Sequence, residues 1–243
     1  MNLFPRRLLT LTAALILSAA AHAETVQIAV AANFTAPARA LAEIFARTTG
    51  HQAQLSFGAT GAFYTQIKNG APFDILLAAD DERPIRLEKE GDTVPGSRFT
   101  YATGQLVLWS AKPGFVDDQG AVLKNGNFNK IAIANPKNAP YGAAAVETMD
   151  KLGLAAALQP KLVTGESIGQ TYNFIATGNA ELGFVALAQV LDGGKLKSGS
   201  MWVVPAKYHA PIIQDAVILK RAAGNPAVRA WMDLLRAPQT KQF

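Results

Sequence analysis

The sequence contains no cysteine, and histidine is nearly as scarce, with three in 243 residues. A chain without thiols has no cysteine nucleophile and no Cys-ligated zinc or iron–sulfur site. It forms no disulfide either, so an exported form has to rely on its hydrophobic core, for which this chain is long enough. His51 and His209 lie in the body of the chain, and neither has the spacing of an HExxH metal site.

Apolar runs long enough to cross a membrane are also missing. The run from Leu8 to Ala21 has 14 residues, which is too short to span a bilayer. Arg6 and Arg7 precede it, and Ala21-His22-Ala23 follows it as an A-x-A cleavage site. This arrangement predicts a signal peptide over residues 1–23 and a periplasmic mature chain that begins at Glu24.

Positive charge is present but not concentrated. The formal net charge is +5, and removal of Arg6 and Arg7 with the signal peptide lowers it to +3. Lysine and arginine form no run and do not alternate with aromatic residues. We therefore expect no nucleic-acid partner.

Strand-like and helix-like stretches alternate along the remaining chain, which predicts an α/β protein with mainly parallel, doubly wound sheets. Thr35 is predicted to cap the first helix, and Asn225 with Pro226 is predicted to begin the last one. Strands are predicted at Val26–Ala32, Ala53–Phe57, Asp74–Ala79, Lys130–Pro136, Lys161–Thr164, 182–187 and Ile212–Lys220.

Two strand-like stretches are placed to join two lobes. One crosses near Ala102 and the other near Ile213. We therefore expect lobe I to comprise 24–102 plus 213–243 and lobe II to comprise 103–212. Open α/β sheets bind ligands outside the carboxyl ends of their strands, so the cleft between the lobes is the expected site.

Four strand-to-helix loops share a small, mostly neutral composition without lysine or arginine. A helix start presents unpaired backbone N–H groups and about half a positive charge, so four loops at one cleft would suit a small dianion. The alternative is that each loop is only a capped turn, since such joints are rich in Gly, Ser, Thr and Asn. The loops are Ala32-Asn33-Phe34-Thr35, Gly58-Ala59-Thr60-Gly61, Ala139-Pro140-Tyr141-Gly142 and Gly165-Glu166-Ser167-Ile168-Gly169.

From Val26 to about Pro238 the chain resembles the periplasmic molybdate-binding proteins, the solute receptors of molybdate ABC transporters. The resemblance implies the type II periplasmic solute-binding fold, with two lobes joined by two hinge strands. It is carried by "AANF" at 31–34, "GATGAFYTQIKNGAPFDILLAADDE" at 58–82, "PGSRFTYATGQLVLWSAKPG" at 95–114, "IANPKNAPYG" at 133–142 and "LGFVALAQV" at 182–190.

The resemblance also implies the residues that bind the oxyanion. The first loop contributes Asn33 with Ala32, and the second contributes the Thr60 hydroxyl and a backbone N–H beside Ala59. Lobe II contributes backbone N–H groups, and whether the Tyr141 hydroxyl or Glu166 takes part is left open. Some relatives have a ligand-binding tyrosine where this chain has Ala186. The expected site residues are Ala32, Asn33, Ala59, Thr60, Tyr141 and Ile168.

The expected function is to bind molybdate, or tungstate, and to deliver it to the membrane permease of an ABC transporter. On this interpretation the protein is not an enzyme, has no cofactor and no direct protein–metal ligand, and is a monomer. A first alternative is a receptor for sulfate, which differs from molybdate only in size, or for phosphate, which needs an acceptor for its proton.

Two further alternatives belong to other classes. An exported hydrolase would need a nucleophile with a base or paired carboxylates, and Asp80 and Asp81 are expected to fill the first turn of the helix at Glu82–Glu90 rather than hold a metal. The effector lobe of a transcription regulator would share the architecture, but the export signal argues against it.

Overall fold

The computed structural model describes residues 23–238 and 240. The predicted signal peptide therefore lies, up to residue 22, outside the described residues. No helix within 23–238 combines the length and apolarity needed to cross a membrane.

The strands are β1 (Thr25–Ala31), β2 (Gln52–Gly58), β3 (Ile75–Leu77), β4 (Phe99–Gly104), β5 (Leu106–Ser110), β6 (Ile131–Ala134), β7 (Leu162–Gly165), β8 (Leu182–Ala186), β9 (Leu191–Asp192), β10 (Lys195–Leu196), β11 (Ser200–Val203) and β12 (Ile212–Ile218). The α-helices are α1 (Thr35–Thr49), α2 (Thr60–Lys68), α3 (Glu82–Lys89), α4 (Val122–Asn125), α5 (Pro140–Lys151), α6 (Ala155–Leu158), α7 (Ile168–Ala176), α8 (Leu187–Val190) and α9 (Pro226–Arg236). Short 3₁₀ turns lie at Ala32–Phe34, Gln159–Lys161, Ala206–Tyr208 and Lys220–Ala222.

Ten of the twelve described strands form two five-stranded sheets, one in each lobe, and β9 and β10 pair with each other as a separate antiparallel ribbon. The first has the order β2-β1-β3-β12-β4, and the second has the order β11-β5-β8-β6-β7. β1 pairs in parallel with β2 and β3, and β6 pairs in parallel with β7 and β8, whereas β12 and β5 pair antiparallel with their neighbours. The α/β class is confirmed, but the expectation of mainly parallel sheets is wrong because strands that enter from the other lobe lack the helical crossover that parallel pairing requires.

The chain passes between the sheets at two adjacent points. β4 ends at Gly104 and β5 begins at Leu106, so one residue separates a strand of the first sheet from a strand of the second. The return strand β12 begins at Ile212, which pairs with Gly104. The two connecting segments therefore run side by side, which is the two-strand hinge of the predicted fold.

Helices cover both faces of the first sheet. Ile28 of β1 lies in a buried cluster with Phe45 of α1 and Trp231 of α9, whose rings meet edge to face at 5.3 Å. The adjacent Ala29 points to the opposite face, into a cluster with Phe63 of α2. This alternation along β1 gives the doubly wound arrangement.

Of the two predicted helix caps, the one at Asn225 is confirmed and the one at Thr35 is wrong. Asn225 caps α9, because its Oδ1 accepts from the backbone N–H groups of Ala227 and Val228 at 2.9 and 3.3 Å. The prediction that Thr35 caps α1 is wrong. A 3₁₀ turn separates β1 from α1, so Thr35 is already helical and its hydroxyl donates to the Ala32 carbonyl at 2.8 Å.

Candidate functional site

One small cavity lies where the strand-to-helix loops of the two lobes meet. The centre of a water-sized sphere can occupy about 10 Å³ of this cavity. The cavity therefore has room for a single small group rather than for a sugar or a peptide. All six predicted site residues line it. The lining residues are Ala31, Ala32, Asn33, Gly58, Ala59, Thr60, Ala79, Ala139, Pro140, Tyr141 and Ile168.

Three helices begin at this cavity. Thr60 is the first residue of α2, Tyr141 is the second of α5, and Ile168 is the first of α7. The N–H groups at these positions have no partner within their own helix. The positive ends of three helix dipoles add to the same field. Residues of all four loops that the sequence singled out therefore line one cavity, and in three of these loops they lie at a helix start.

The Thr60 hydroxyl is held by the backbone of the neighbouring strand. Thr60 is buried, and its Oγ1 accepts a hydrogen bond from the N–H of Ala79 at 2.9 Å. A hydroxyl has one proton and two lone pairs. Because Ala79 occupies a lone pair, the Thr60 proton remains available for a group in the cavity.

The start of α7 is capped so that its first N–H stays available. Ser167 Oγ accepts from the N–H of Gln170 at 3.3 Å, which satisfies the third helical residue rather than Ile168. Glu166 is exposed, and its backbone N–H donates to Gln170 Oε1. Glu166 does not line the cavity, so its carboxylate has no place in the site.

Asn33 connects the cavity with the hinge. It is buried, and its Nδ2 donates to Oε1 of Gln214 on β12 at 2.9 Å. Its Oδ1 is buried and has no hydrogen-bond partner among the described residues. Gln214 in turn donates from Nε2 to the Tyr141 hydroxyl at 3.2 Å. The side chain of Tyr141 therefore points from the cavity toward the hinge.

Tyr141 stays neutral in this position, because burial raises the pKa of its phenol. Its hydroxyl lies against Gly104 at the end of β4, where an added Cβ would overlap the hydroxyl oxygen. The sequence did not identify Gln214 or Gly104 as part of the site. The signal in the sequence is the pair Gln214-Asp215 within a mainly apolar strand.

No charged side chain is among the eleven residues that line the cavity. The nearest in sequence, Asp80, pairs with Arg83 at 2.6 Å and accepts the Arg83 backbone N–H at 3.0 Å. Burial is the main cause that raises the pKa of Asp80, and the Arg83 charge opposes it. Asp80 thus serves the start of α3, as predicted.

The two lobes touch on both sides of the cavity. Gly61 N–H of α2 donates to the Asn138 carbonyl at 2.9 Å, and Arg83 Nη2 donates to the Lys137 carbonyl at 2.9 Å. On the other side Gly169 lies against Ala32, where an added Cβ would be 3.3 Å from the alanine Cβ. The cleft is therefore closed.

Two lobes that close over a neutral, donor-lined cavity beside a two-strand hinge define a solute receptor of the type II periplasmic fold. The chain belongs to the bacterial extracellular solute-binding protein family, whose model matches residues 26–243. This confirms the class of protein that the sequence predicts.

Several relatives are similar over nearly their whole length. The molybdate-binding protein ModA of Azotobacter vinelandii is 59% identical over 236 residues, covering 97% of this chain and 94% of the relative. That of Rhodobacter capsulatus is 54% identical, covering 88% and 84%. A solved periplasmic molybdate-binding protein of A. vinelandii superposes with a TM-score of 0.86 at 44% identity, covering 88% and 94%.

Proposed function

We propose that this protein binds molybdate, or tungstate in its place, in the closed cavity and delivers it to the permease of an ABC transporter. The observation that carries the proposal is the composition of the cavity. It offers the Thr60 hydroxyl and the N–H groups that begin α2, α5 and α7, and it contains no charged side chain. The identity of 59% to a molybdate-binding protein supports the particular anion.

The proposed ligand suits the field of the site. Each helix start carries about half a positive charge, so three of them balance most of a dianion without a lysine or arginine. Molybdate carries two charges and no proton near neutral pH, so every oxygen accepts and none donates. Contact between the lobes keeps these hydrogen bonds away from bulk water, and electrostatic attraction is stronger inside the protein than in water.

The alternatives fit the cavity less well. Hydrogen phosphate needs an acceptor, and neither Glu166 nor another carboxylate lines the cavity. Sulfate has the same charge and is smaller. The likeness to the sulfate-binding protein SubI of Mycobacterium tuberculosis, with a TM-score of 0.69 at 14% identity, is one of fold and does not extend to the ligand. A hydrolase would need paired carboxylates or a nucleophile with a base, and no such group lines the cavity.

The remaining attributes follow from the same proposal. The oxyanion is cargo, so the protein needs no cofactor, and its own atoms do not ligate the metal directly. A receptor that opens and closes has no catalytic step. We place the mature protein in the periplasm, supported by the predicted signal peptide and by membership of an extracellular family. We further propose that it acts as a monomer.

The proposal is tested by melting the protein with a panel of oxyanions. A ligand at 100 times its dissociation constant that binds only the folded state adds about 2.7 kcal/mol of stability. Molybdate and tungstate should raise the melting temperature strongly, and sulfate and phosphate at equal concentration should not. A sulfate shift as large as the molybdate shift would overturn the assignment.

A further inference from the structure

Four polar side chains, three of them buried and that of Tyr101 partly buried, form a connected group between the cavity and the hinge. Gln214 is at its centre and contacts three of them. Its Oε1 lies 2.9 Å from Asn33 Nδ2 and 3.2 Å from the Tyr101 hydroxyl. Its Nε2 lies 3.2 Å from the Tyr141 hydroxyl. The Tyr101 hydroxyl also lies 2.9 Å from the Ala78 carbonyl.

With the amides oriented in this way, several groups lack partners. Asn33 Oδ1 is buried without a donor among the described residues. The Tyr141 hydroxyl accepts from Gln214, but its own proton has no acceptor there. The Tyr101 hydroxyl faces two acceptors with one proton. Buried polar groups without partners are costly. An anion cannot repair the deficit at Asn33, because Oδ1 is itself an acceptor.

A half-turn of both amide groups gives each of these groups a partner and leaves the NH₂ group of Asn33 as the one without a partner among the described residues. The oxygen and nitrogen of a side-chain amide have nearly the same shape, so the hydrogen-bond network decides their positions. After the turn, Gln214 Nε2 donates to Asn33 Oδ1 and to the Tyr101 hydroxyl, and the Tyr101 proton goes to Ala78. The Tyr141 hydroxyl donates to Gln214 Oε1. Asn33 then directs its NH₂ group away from Gln214.

We propose that Gln214 is the positioning residue of the oxyanion site. By donating to Asn33 Oδ1 and accepting the Tyr141 proton, Gln214 turns the NH₂ group of Asn33 toward the bound anion. The inference rests on the proposed function for the identity of the anion. It adds a specificity-determining residue on the hinge strand β12, which does not itself line the cavity.

Two features of the backbone support this role. β12 shifts register between Gln214 and Asp215, and such a bulge re-aims a side chain. Both residues are buried. Gly104, on the paired strand β4, leaves the space that the contact needs, since a Cβ there would overlap the Tyr141 hydroxyl and lie 2.7 Å from Gln214 Nε2. The φ angle of Gly104 is not in the left-handed region, so space rather than backbone conformation explains the glycine.

The orientation of Asn33 decides which anions the cavity accepts. An NH₂ group favours an anion whose oxygens all accept, such as molybdate. An amide oxygen in the same place favours an anion that has kept a proton, such as hydrogen phosphate. Molybdate and hydrogen phosphate carry the same charge of −2 at pH 8, so a comparison between them cancels the effect of any added charge.

The affinity test uses two variants of similar shape. Gln214→Met removes donor and acceptor, whereas Gln214→Glu keeps the acceptor and cannot donate. Glutamate would hold the Asn33 NH₂ group to itself and leave Oδ1 toward the anion. Gln27→Met is the control, because Gln27 pairs with Gln54 at an exposed position. Binding of molybdate and phosphate at pH 8 is measured by calorimetry, with phosphate followed by competition.

We expect Gln214→Met to weaken molybdate binding about tenfold and Gln214→Glu at least 100-fold, with a lower molybdate-to-phosphate ratio in the Glu variant than in the Met variant. The control should bind as the parent does. Molybdate binding by Gln214→Glu that equals or exceeds binding by Gln214→Met would overturn the proposal. That result would mean that the site binds molybdate well while the NH₂ group of Asn33 is hydrogen-bonded to residue 214 and not to the anion.

A second measurement does not depend on the anion. In the proposed arrangement the hydroxyl protons of Tyr101 and Tyr141 are both donated inside the protein, so both should exchange slowly and be visible by proton NMR. Tyr141→Phe should remove one signal, and so should Gln214→Met. Absence of the Tyr141 signal in the parent overturns the arrangement. If the parent shows this signal but binds no oxyanion, the proposed function fails while the hydrogen-bond arrangement stands.

Discussion

The Thr60 hydroxyl oxygen accepts a hydrogen bond from the backbone N–H of Ala79 at 2.9 Å, across the gap between the start of α2 and the end of β3. Both residues line the cavity. The contact fixes the side-chain rotamer and occupies a lone pair, so the proton of the hydroxyl is free to donate. The backbone at the end of β3 therefore orients the Thr60 hydroxyl so that it can donate into the cavity.

Two replacements of Thr60 should distinguish the contribution of its hydroxyl group to affinity from that of its methyl group. Thr60→Val keeps the shape and removes the hydroxyl, and it should weaken molybdate binding by about 1.5–3 kcal/mol, as for a hydrogen bond to a charged group. Thr60→Ser keeps the hydroxyl and should bind within a factor of a few of the parent. Calorimetry on both variants checks this. Equal affinity of Thr60→Val and the parent would mean that the Thr60 hydroxyl does not bind the anion.

The backbone role of Ile168 is tested by proline. Ser167 is extended with φ −141° and ψ 165°, which suits the residue before a proline, and the first helical N–H has no partner in the helix. Ile168→Pro should therefore fold but lose a hydrogen bond to the anion. Binding should fall at least tenfold, about 1.4 kcal/mol.

Ile168→Ala is the matched variant for this test. Ile168 is buried in the core of lobe II, so the truncation should cost about 2–5 kcal/mol of stability while affinity stays near that of the parent. Melting curves without ligand give the first quantity and calorimetry gives the second. If Ile168→Pro folds and binds normally, the α7 loop does not bind the anion.

Closure of the lobes depends on Gly61. An alanine Cβ at this position would lie 2.9 Å from Asn138 Cα, so the lobes could not approach as closely. Alanine in a helix is more favourable than glycine by up to about 1 kcal/mol, so Gly61→Ala should melt no lower than the parent without ligand. Its molybdate affinity should nevertheless fall about tenfold.

Gly169→Ala provides the comparison for Gly61→Ala, because its Cβ would meet Ala32 Cβ at a milder 3.3 Å. We expect a smaller loss of affinity for this variant. Small-angle scattering with molybdate should show a more open shape for Gly61→Ala than for the parent. Unchanged affinity in Gly61→Ala would mean that the Gly61–Asn138 contact does not limit closure.

Molybdate binding should not vary with pH between 7 and 9. Tyr141 is the titratable side chain among the lining residues, and burial raises the pKa of its phenol. A raised pKa keeps the phenol neutral across this range, so no proton is gained or lost on binding. Calorimetry in buffers of different ionisation enthalpy checks this. A tenfold change in affinity within the range would indicate an ionising group that the site does not contain.

The sequence alone was sufficient for the class and for the neighbourhood of the site. The alternation of strand and helix patterns predicted the α/β fold. This was possible because the spacing of apolar residues shows whether a segment buries one face as a helix or as a strand. Small residues at the strand-to-helix joints placed Asn33, Thr60 and Tyr141 beside helix starts. The six site residues that the family resemblance implies all line one cavity. That these residues bind the anion remains a prediction.

The sequence was less informative where the outcome depended on long-range pairing. It predicted mainly parallel sheets, and it placed Thr35 at a cap that the intervening 3₁₀ turn moves to Phe34. It gave no role to Gln214 or Gly104, which lie 110 residues apart in the chain. Only the pairing of β4 with β12 brings them together beside Tyr141. Local patterns record the secondary structure and burial of a residue, whereas hydrogen-bond partners across a hinge are fixed by the packing of distant strands.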